Sequence, residues 1–573
     1  MKKRDLIYIA FALLVIGSCK KQGFLEQTVT NDLDEAAVFS DSTRTVAFLT
    51  AIYADLAFSS DPNRFGNGGL DAACDETKPR QTFDITTSVQ FVSGTIAPGI
   101  IATDSWNTPY TNIRRVNKFL KNLPSTPMDL SRKKIYESEA RFLRAWYYGE
   151  LLKHYGGIPM VGDTIYSTED HIPAVRNTYE ECVNYILTEC DTAQKYLPPR
   201  RYSGEYGRID QGICQAFKAR LLLDAASPLY NSSDNADPLL GYTDYSKERW
   251  RLAAEAAHAV MNITSPVSGK YSLEMNNNGT PGRGFFELFL KRYNNEYILP
   301  NMNRGVRDLE SIWLPPSRGG TKGGYPFQET VDAFGMKNGL PITDPNSNYD
   351  ASNPYANRDP RLAHSIIRDQ TPFVNSQGIF QPINIYLNPD GTTPGEDALG
   401  RGTPTGYYVK KMLADIAANS IFDSQRIRPV IRFAEVLLNY AEAKNEYSGP
   451  VDSVYRAIIQ IRERAGIDPG SDNLYGLKTN MTKEEMREVI RSERRVELAF
   501  EGFRFWDIRR WKIAPAVMAR EMHGMEVRRT ASGTSTFTEF PVVTNVFRDA
   551  MYFWPIPLLE IGRSPELIQN PGY

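Results

Sequence analysis

Five segments in the first half of this chain place apolar and aromatic residues three and four positions apart. They are Ser105–Asn122, Ser131–Tyr155, Thr178–Tyr196, Gln211–Ala226 and Ser246–Met261. That spacing puts each apolar set on one face of a helix, and such a face must be buried against a neighbour. Asp41–Phe58, with Val46, Leu49, Tyr53 and Leu56, reads as an earlier helix. Ile431–Tyr447, Val451–Ala465 and Glu484–Trp511 carry the pattern towards the C-terminus. Gly156-Gly157 and Pro159 stop one helix sharply. Bulky residues such as Phe142, Trp146, Tyr147 and Leu151 alternate with alanines over successive helices, in the manner of tetratricopeptide pairs. No period of about thirty-four residues repeats, so the expected fold class is mainly α, an irregular array of tetratricopeptide-like helix pairs.

Two long stretches break this period. Ser59–Ile101 is rich in Gly, Asp and Thr, and Asn262–Tyr325 scatters Phe285, Phe286, Tyr293, Tyr297, Trp313 and Tyr325 among turn residues. Residues 335–430 are loop-rich as well. Segments of this length exceed plain connections, and binding residues concentrate in such loops. A sugar has apolar ring faces and hydroxyl edges, so a sugar site wants exposed aromatics beside Asn, Asp, Gln or Arg.

Glu484–Trp511 stands out for charge. Val489, Val496, Phe500 and Phe503 recur at helical spacing, and Glu493 falls on that apolar side. A carboxylate there needs a charged partner, from Arg494, Arg495 or an arginine of another helix. The stretch reads as a catalytic cluster or as a central helix pinned by ion pairs, since such networks perturb ionisation without catalysing anything. The rest of the chain favours the second reading, with Glu493 and its arginines locking late helices and Phe505 and Trp506 anchoring the extended tail.

A catalytic centre is hard to assemble. The five histidines (His154, His171, His258, His364, His523) are dispersed, and no H-E-x-x-H, G-x-S-x-G, Walker A or dinucleotide fingerprint occurs. Asp344, Asn346, Asn348 and Asp350 alternate like a calcium loop, but Tyr349 occupies the glycine position and Tyr355 the twelfth, so a solvated turn is expected. No cofactor and no metal are expected. Paired carboxylates for glycoside hydrolysis leave no spacing signature, so a helical glycoside hydrolase stays open as the enzymatic alternative.

The N-terminus opens Met1-Lys-Lys-Arg, continues with an apolar Leu6–Ile16 too short to span a bilayer, and ends Val15-Ile16-Gly17-Ser18-Cys19. This order resembles a bacterial lipoprotein signal. Residues 1–18 are then the signal peptide, Cys19 the lipidated N-terminus and 19–32 a tether, with membrane contact through lipid alone. A formal net charge of −2 gives no reason to expect nucleic acid as a partner. Cys74, Cys182, Cys190 and Cys214 form no C-x-x-C pair and are expected as buried small hydrophobes.

EARFLRAWYYGELLKHYGGIP, GRIDQGICQAFKARLLL, PFQETVDAFGMKNGLPI, NRDPRL, IRFAEVLLNYAEAKNE, SERRVELAFEGFRFWDIRRW and the IPLLEI…ELIQNPGY ending follow one another along the chain. Together they resemble the SusD/RagB family of outer-membrane nutrient-binding lipoproteins, over nearly the whole length. The resemblance implies a helical region (33–261) and a C-terminal region (262–573) that share a loop-rich binding face. It implies non-catalytic capture of a glycan, or of another oligomeric nutrient such as a peptide, and transfer to a SusC-like TonB-dependent outer-membrane transporter. It also implies a lipid-anchored outer-membrane protein facing the exterior. Surface lipoproteins of such bacteria often carry acids after the cysteine, whereas Lys20-Lys21-Gln22 follow Cys19 here. By the same analogy the ligand-binding residues are expected at Phe65, Asn67, Asp75, Arg80 and Phe83 in the first aperiodic stretch. The second supplies Tyr293, Tyr297, Trp313 and Arg318. Trp106 and Trp146 sit at core spacing and are expected to be structural, and Trp313→Ala is expected to weaken binding with little change in melting temperature.

Overall fold

A computed structural model describes residues 34–573 apart from 67, 81–84, 168, 303–306, 322, 391–393 and 421–425. Cys19, the signal and the tether lie outside the described residues. The architecture is mainly helical, and capping shows why the helices begin where they do. Asp41, Asp129 and Asp210 each accept a hydrogen bond from a backbone N–H of the first turn of their helix (Ser42–Tyr53, Leu130–Tyr155, Gln211–Ala226). Thr178 and Glu181 form a capping box at Tyr179–Gln194, as Thr482 and Glu485 do at Lys483–Glu497. Asp104–Asn122, Leu130–Tyr155 and Tyr179–Gln194 pack in succession, and Gln211–Ala226 pairs with Lys247–Asn262. Lys247–Asn262 packs in turn on Phe433–Ser448, which also supports Asp452–Ala465 and Lys483–Glu497. The helical array therefore crosses residue 262 and is completed by the late helices.

From Ser138 onward the Leu130–Tyr155 helix is buried on nearly every face, the condition for a helix without a polar side. Trp146 donates its indole N–H to the Leu56 carbonyl at 2.9 Å, and Trp106 packs edge-on against Tyr155, so both tryptophans are structural. The four described cysteines are buried and unbonded. No described helix is long and apolar enough to cross a membrane.

A second apolar core underlies the loop-rich half, built from Phe285, Phe289, Trp313, Phe334, Ile367, Tyr407, Tyr408, Phe500 and their neighbours. Short two-stranded ladders hold this half together. Ile431–Tyr447 begins as a strand rather than a helix: Arg428–Arg432 pairs antiparallel with Tyr297–Asn301, and the helix starts at Phe433. Glu484–Trp511 is two helices, Lys483–Glu497 and Arg504–Arg510, because Phe500 (φ 60°) and Gly502 (φ 78°) turn the chain between them. A hairpin of Glu521–Arg529 with Ser535–Thr544 follows, in a region where the helix pattern gave no expectation.

Candidate functional site

The buried stripe of Lys483–Glu497 is Met486, Ile490, Glu493, Arg494, Val496 and Glu497, so acids are part of the face that packs. Glu493 meets Arg361 at 2.7 Å and Arg462 at 2.8 Å, arginines from outside its own helix. Arg494, one partner expected from the sequence, turns to Asp507 at 2.7 Å instead. Glu497 sits at the centre: Arg361 reaches it at 2.9 Å, Arg432 at 2.7 Å, and Arg464 also pairs with it. Burial alone would raise the Glu497 carboxyl, yet Arg464, Arg432 and Arg361 hold it well below the usual carboxylate range. Lys411 donates to the Glu497 and Ala499 carbonyls, each at 2.8 Å, and to Glu501 at 2.7 Å. Phe505 and Trp506 behave as expected of tail anchors. Phe505 packs edge-on to the tail residue Trp554, and Trp506 contacts His154, which itself packs on Trp554.

This network extends into the first aperiodic stretch. Arg504 grips Asp75 with two hydrogen bonds of 2.9 and 2.7 Å, and Arg495 stands 3.5 Å away. Asp71 accepts from the Gly502 N–H at 2.8 Å and Glu76 from the Phe500 N–H at 3.1 Å. The turn that ends the charged helix is thus capped by acids of the loop, and the loop is held by the turn. Directly after it, Thr77–Lys78 pairs antiparallel with Tyr325–Pro326, Lys78 opposite Tyr325. Gly68 (φ 82°) and Gly324 (φ 121°) meet at this junction in backbone conformations that favour glycine. The two aperiodic stretches picked out by sequence are therefore brought together.

Where they meet, a groove of about 340 Å³ opens, lined by Arg80, Thr321, Tyr325, Arg401 and Tyr408 together with Leu314, Pro316, Gly320, Gly323 and Gly402. Its volume falls in the range of small-ligand sites. Arg80, Thr321 and Arg401 are exposed and Tyr325 is half-buried. The Tyr325 ring meets Tyr408 edge-on at 5.8 Å, and the Tyr408 hydroxyl is held by the Asp397 carbonyl at 3.0 Å. Gly320 must be glycine, because a Cβ there would collide with the Leu314 carbonyl oxygen. The loop folds back on the Asp308–Trp313 helix through Thr321 N–H to Ser311 O (3.0 Å) and Gly323 N–H to Ile312 O (2.8 Å). Among the described lining residues there is no carboxylate.

Of the nine residues expected to touch ligand, Arg80 lines this groove. Asn67 and Phe83 lie outside the described residues. Five others make their contacts inside the protein. Asp75 is fully buried against Arg504, and Phe65 packs on Trp554. Tyr297 is buried in its strand with its hydroxyl towards the Ile427 carbonyl. Trp313 belongs to the second core. Arg318 is buried and donates to the Gln381 and Pro382 carbonyls at 3.1 and 3.3 Å. Tyr293 is exposed, but it stacks edge-on with Tyr206 away from the groove lining. The groove also brings in Tyr325, Thr321 and Arg401, which the sequence reading does not select. Tyr325 had been noted as an aromatic of the second stretch, whereas Arg401 sits in a Gly-flanked turn that carries no pattern.

A larger cavity, about 670 Å³, lies elsewhere, between the Lys483–Glu497 helix and residues 333–344. Its floor is Asp359, Arg361, Arg462 and Glu493, which already satisfy one another. Among the described residues no group of three or more His, Cys, Asp or Glu is placed to hold a metal ion. At the calcium-like stretch, Asp344 and Asp350 accept hydrogen bonds from the backbone of Asn346 and Ser352, each at 2.9 Å, as turn residues do.

Comparison with known proteins adds an independent line. The profile described as the SusD family matches residues 288–573, and one described as "starch-binding associating with outer membrane" matches residues 24–223. SusD-like protein P2 of Formosa agariphila is 24% identical over 474 residues, covering 82% of this chain and 80% of its own. The crystal structure of a SusD-like protein from Bacteroides fragilis superposes with a TM-score of 0.75 at 25% identity, over 95% of this chain and all of that one. A laminarin-binding SusD-like protein superposes with a TM-score of 0.58 at 19% identity, over 93% of this chain and all of that one.

Proposed function

We propose that this chain, which belongs to the SusD/RagB family, captures an oligosaccharide in the groove between its two joined loops and performs no chemistry on it. The observation that carries this reading is the convergence of both aperiodic stretches at Arg80 and Tyr325 through the Thr77–Lys78 ladder. The groove combines half-buried tyrosine edges with outward hydrogen-bond donors, which suits a ligand with apolar faces and hydroxyl rims. Glycoside hydrolysis needs two carboxyls about the scissile bond, and the described lining offers none. The laminarin-binding neighbour, which shares the fold, fits a glycan ligand. Lipidation at Cys19 tethers the protein to the outer membrane, and a SusC-like TonB-dependent transporter receives the ligand.

Calorimetry with purified oligosaccharides, together with an assay for new reducing ends, tests the binding claim. Saturable heat without new ends is the expected result; ends released at enzyme-like rates, or binding of peptides alone, would overturn it. For the hand-off, the expected result is co-purification of a large β-barrel from outer membranes with the native protein. Cys19→Ala should release the protein from the membrane fraction.

A further inference from the structure

Many arginines of this protein are spent on carboxylates or carbonyls, whereas two exposed ones, Arg80 and Arg401, line the groove. Among the described residues, the side chains of Arg80 and Arg401 have no hydrogen-bond or ion-pair partner, and both are exposed. Lys78, two residues before Arg80, stands opposite Tyr325 in the ladder and adds a third cation beside the groove. The acid nearest Arg401 in sequence, Asp397, is turned away: it accepts from the Ser317 N–H at 2.9 Å and from the Ser317 hydroxyl. A neutral sugar would leave both guanidiniums to water. A ligand carrying carboxylate or sulfate would meet each of them with charge-assisted, two-pronged hydrogen bonds, the geometry for which arginine is suited.

We infer that the ligand is an anionic oligosaccharide, recognised through Arg80 and Arg401 while Tyr325 supports a ring face. This rests on the glycan-binding reading above and narrows it to a charge class. Uronate and sulfate share the chemistry that the groove recognises.

The test is calorimetry on the full mature chain with four probes of similar length: an oligogalacturonate, a sulfated carrageenan oligosaccharide, a maltooligosaccharide and a laminarioligosaccharide. At least one anionic probe is expected to bind about tenfold or more tighter than either neutral one, the size that one charged hydrogen bond supplies. Which anionic arm binds assigns the source of the charge. Arg80→Gln and Arg401→Gln should each remove most of that preference without moving the melting temperature, and added salt should weaken the anionic arm selectively. Neutral probes binding as tightly as anionic ones, or a preference that survives both substitutions, overturns the inference and leaves the glycan-binding reading standing. Binding of none of the four overturns both.

Discussion

The Glu497 cluster and the Arg80 groove both gather arginines, and they differ in what those arginines meet. Around Glu497, Arg361, Arg432, Arg464 and Lys411 each find a carboxylate within ion-pair distance, and Glu296, Asp359, Glu493 and Glu501 complete the set. In the groove two exposed arginines sit in a lining whose described residues include no carboxylate. Charge density along the sequence singled out the first region, whereas chemistry left over for a ligand exists in the second. A cluster whose charges cancel inside the protein is scaffold; one whose charges remain open is available for recognition.

The largest effect that would sharpen this contrast is expected at Glu497. Glu497→Ala leaves Arg361, Arg432 and Arg464 buried with fewer counter-charges, and breaking one partner of a buried pair costs about 3–5 kcal/mol. Urea denaturation followed by tryptophan fluorescence should show that loss. A change below about 1 kcal/mol would mean the network is not the scaffold described here.

Trp313→Ala comes next, and it reverses the sequence-based expectation. Because Trp313 is buried in the second core, truncation should cost about 3–5 kcal/mol and lower the melting temperature. Its helix carries the 319–324 loop, so weakened binding should accompany the lost stability. Weakened binding with the melting temperature intact would restore Trp313 as a contact residue.

Much of this was legible beforehand, for physical reasons. Helices with one apolar face announce themselves at period 3.6, and their capping residues mark the starts, so Gln211–Ala226 is found where it was expected. Glu493 on an apolar face required arginines, though Arg361 and Arg462 from other helices supply them, since sequence spacing says nothing of partners brought in from elsewhere in the chain. That the two aperiodic stretches matter was also legible. Which of their side chains face outward was not. Asp75, Trp313 and Arg318 look like ligand contacts by residue type, but a tight loop needs its own core and its own paired polar groups, and these residues supply them. The hairpin at Glu521–Arg529 carried an alternating pattern with a Thr-Ala-Ser-Gly turn, a signal overlooked beside the helical periodicity.

A smaller effect is expected at Tyr325 in the groove. Tyr325→Ala should weaken oligosaccharide binding about tenfold, as expected for a lost stacking and hydrogen-bonding ring, while costing less stability than Trp313→Ala because the ring is only half-buried. Calorimetry and a melting curve on the same sample separate the two outcomes. An unchanged affinity would move the binding site away from this groove.

The smallest effect concerns the acids that join the two regions. Asp71 and Glu76 are neighbouring buried carboxyls that accept from the Gly502 and Phe500 N–H groups of the turn. Burial pushes Asp71 up to about 6, and burial together with the Asp71 charge pushes Glu76 well above its ordinary value. The folded pair therefore keeps protons that the unfolded chain releases above about pH 4. Stability from this source is complete below that pH and is lost as pH rises through about 6. Asp75 behaves oppositely: burial would raise it, but Arg504 and Arg495 hold it at about 2, so its contribution is present above about pH 4 and lost as pH falls through about 2. Melting curves from pH 4.5 to 8 at constant ionic strength should show a decline that Glu76→Gln makes shallower, since glutamine keeps the hydrogen bond without a second charge. Buried Asp210 and half-buried Asp224, raised to about 7 and about 6, should leave a residual slope. If Glu76→Gln leaves the slope unchanged, the pair does not share a proton, and the turn that carries the groove loop is held by Asp75 and Arg504 instead.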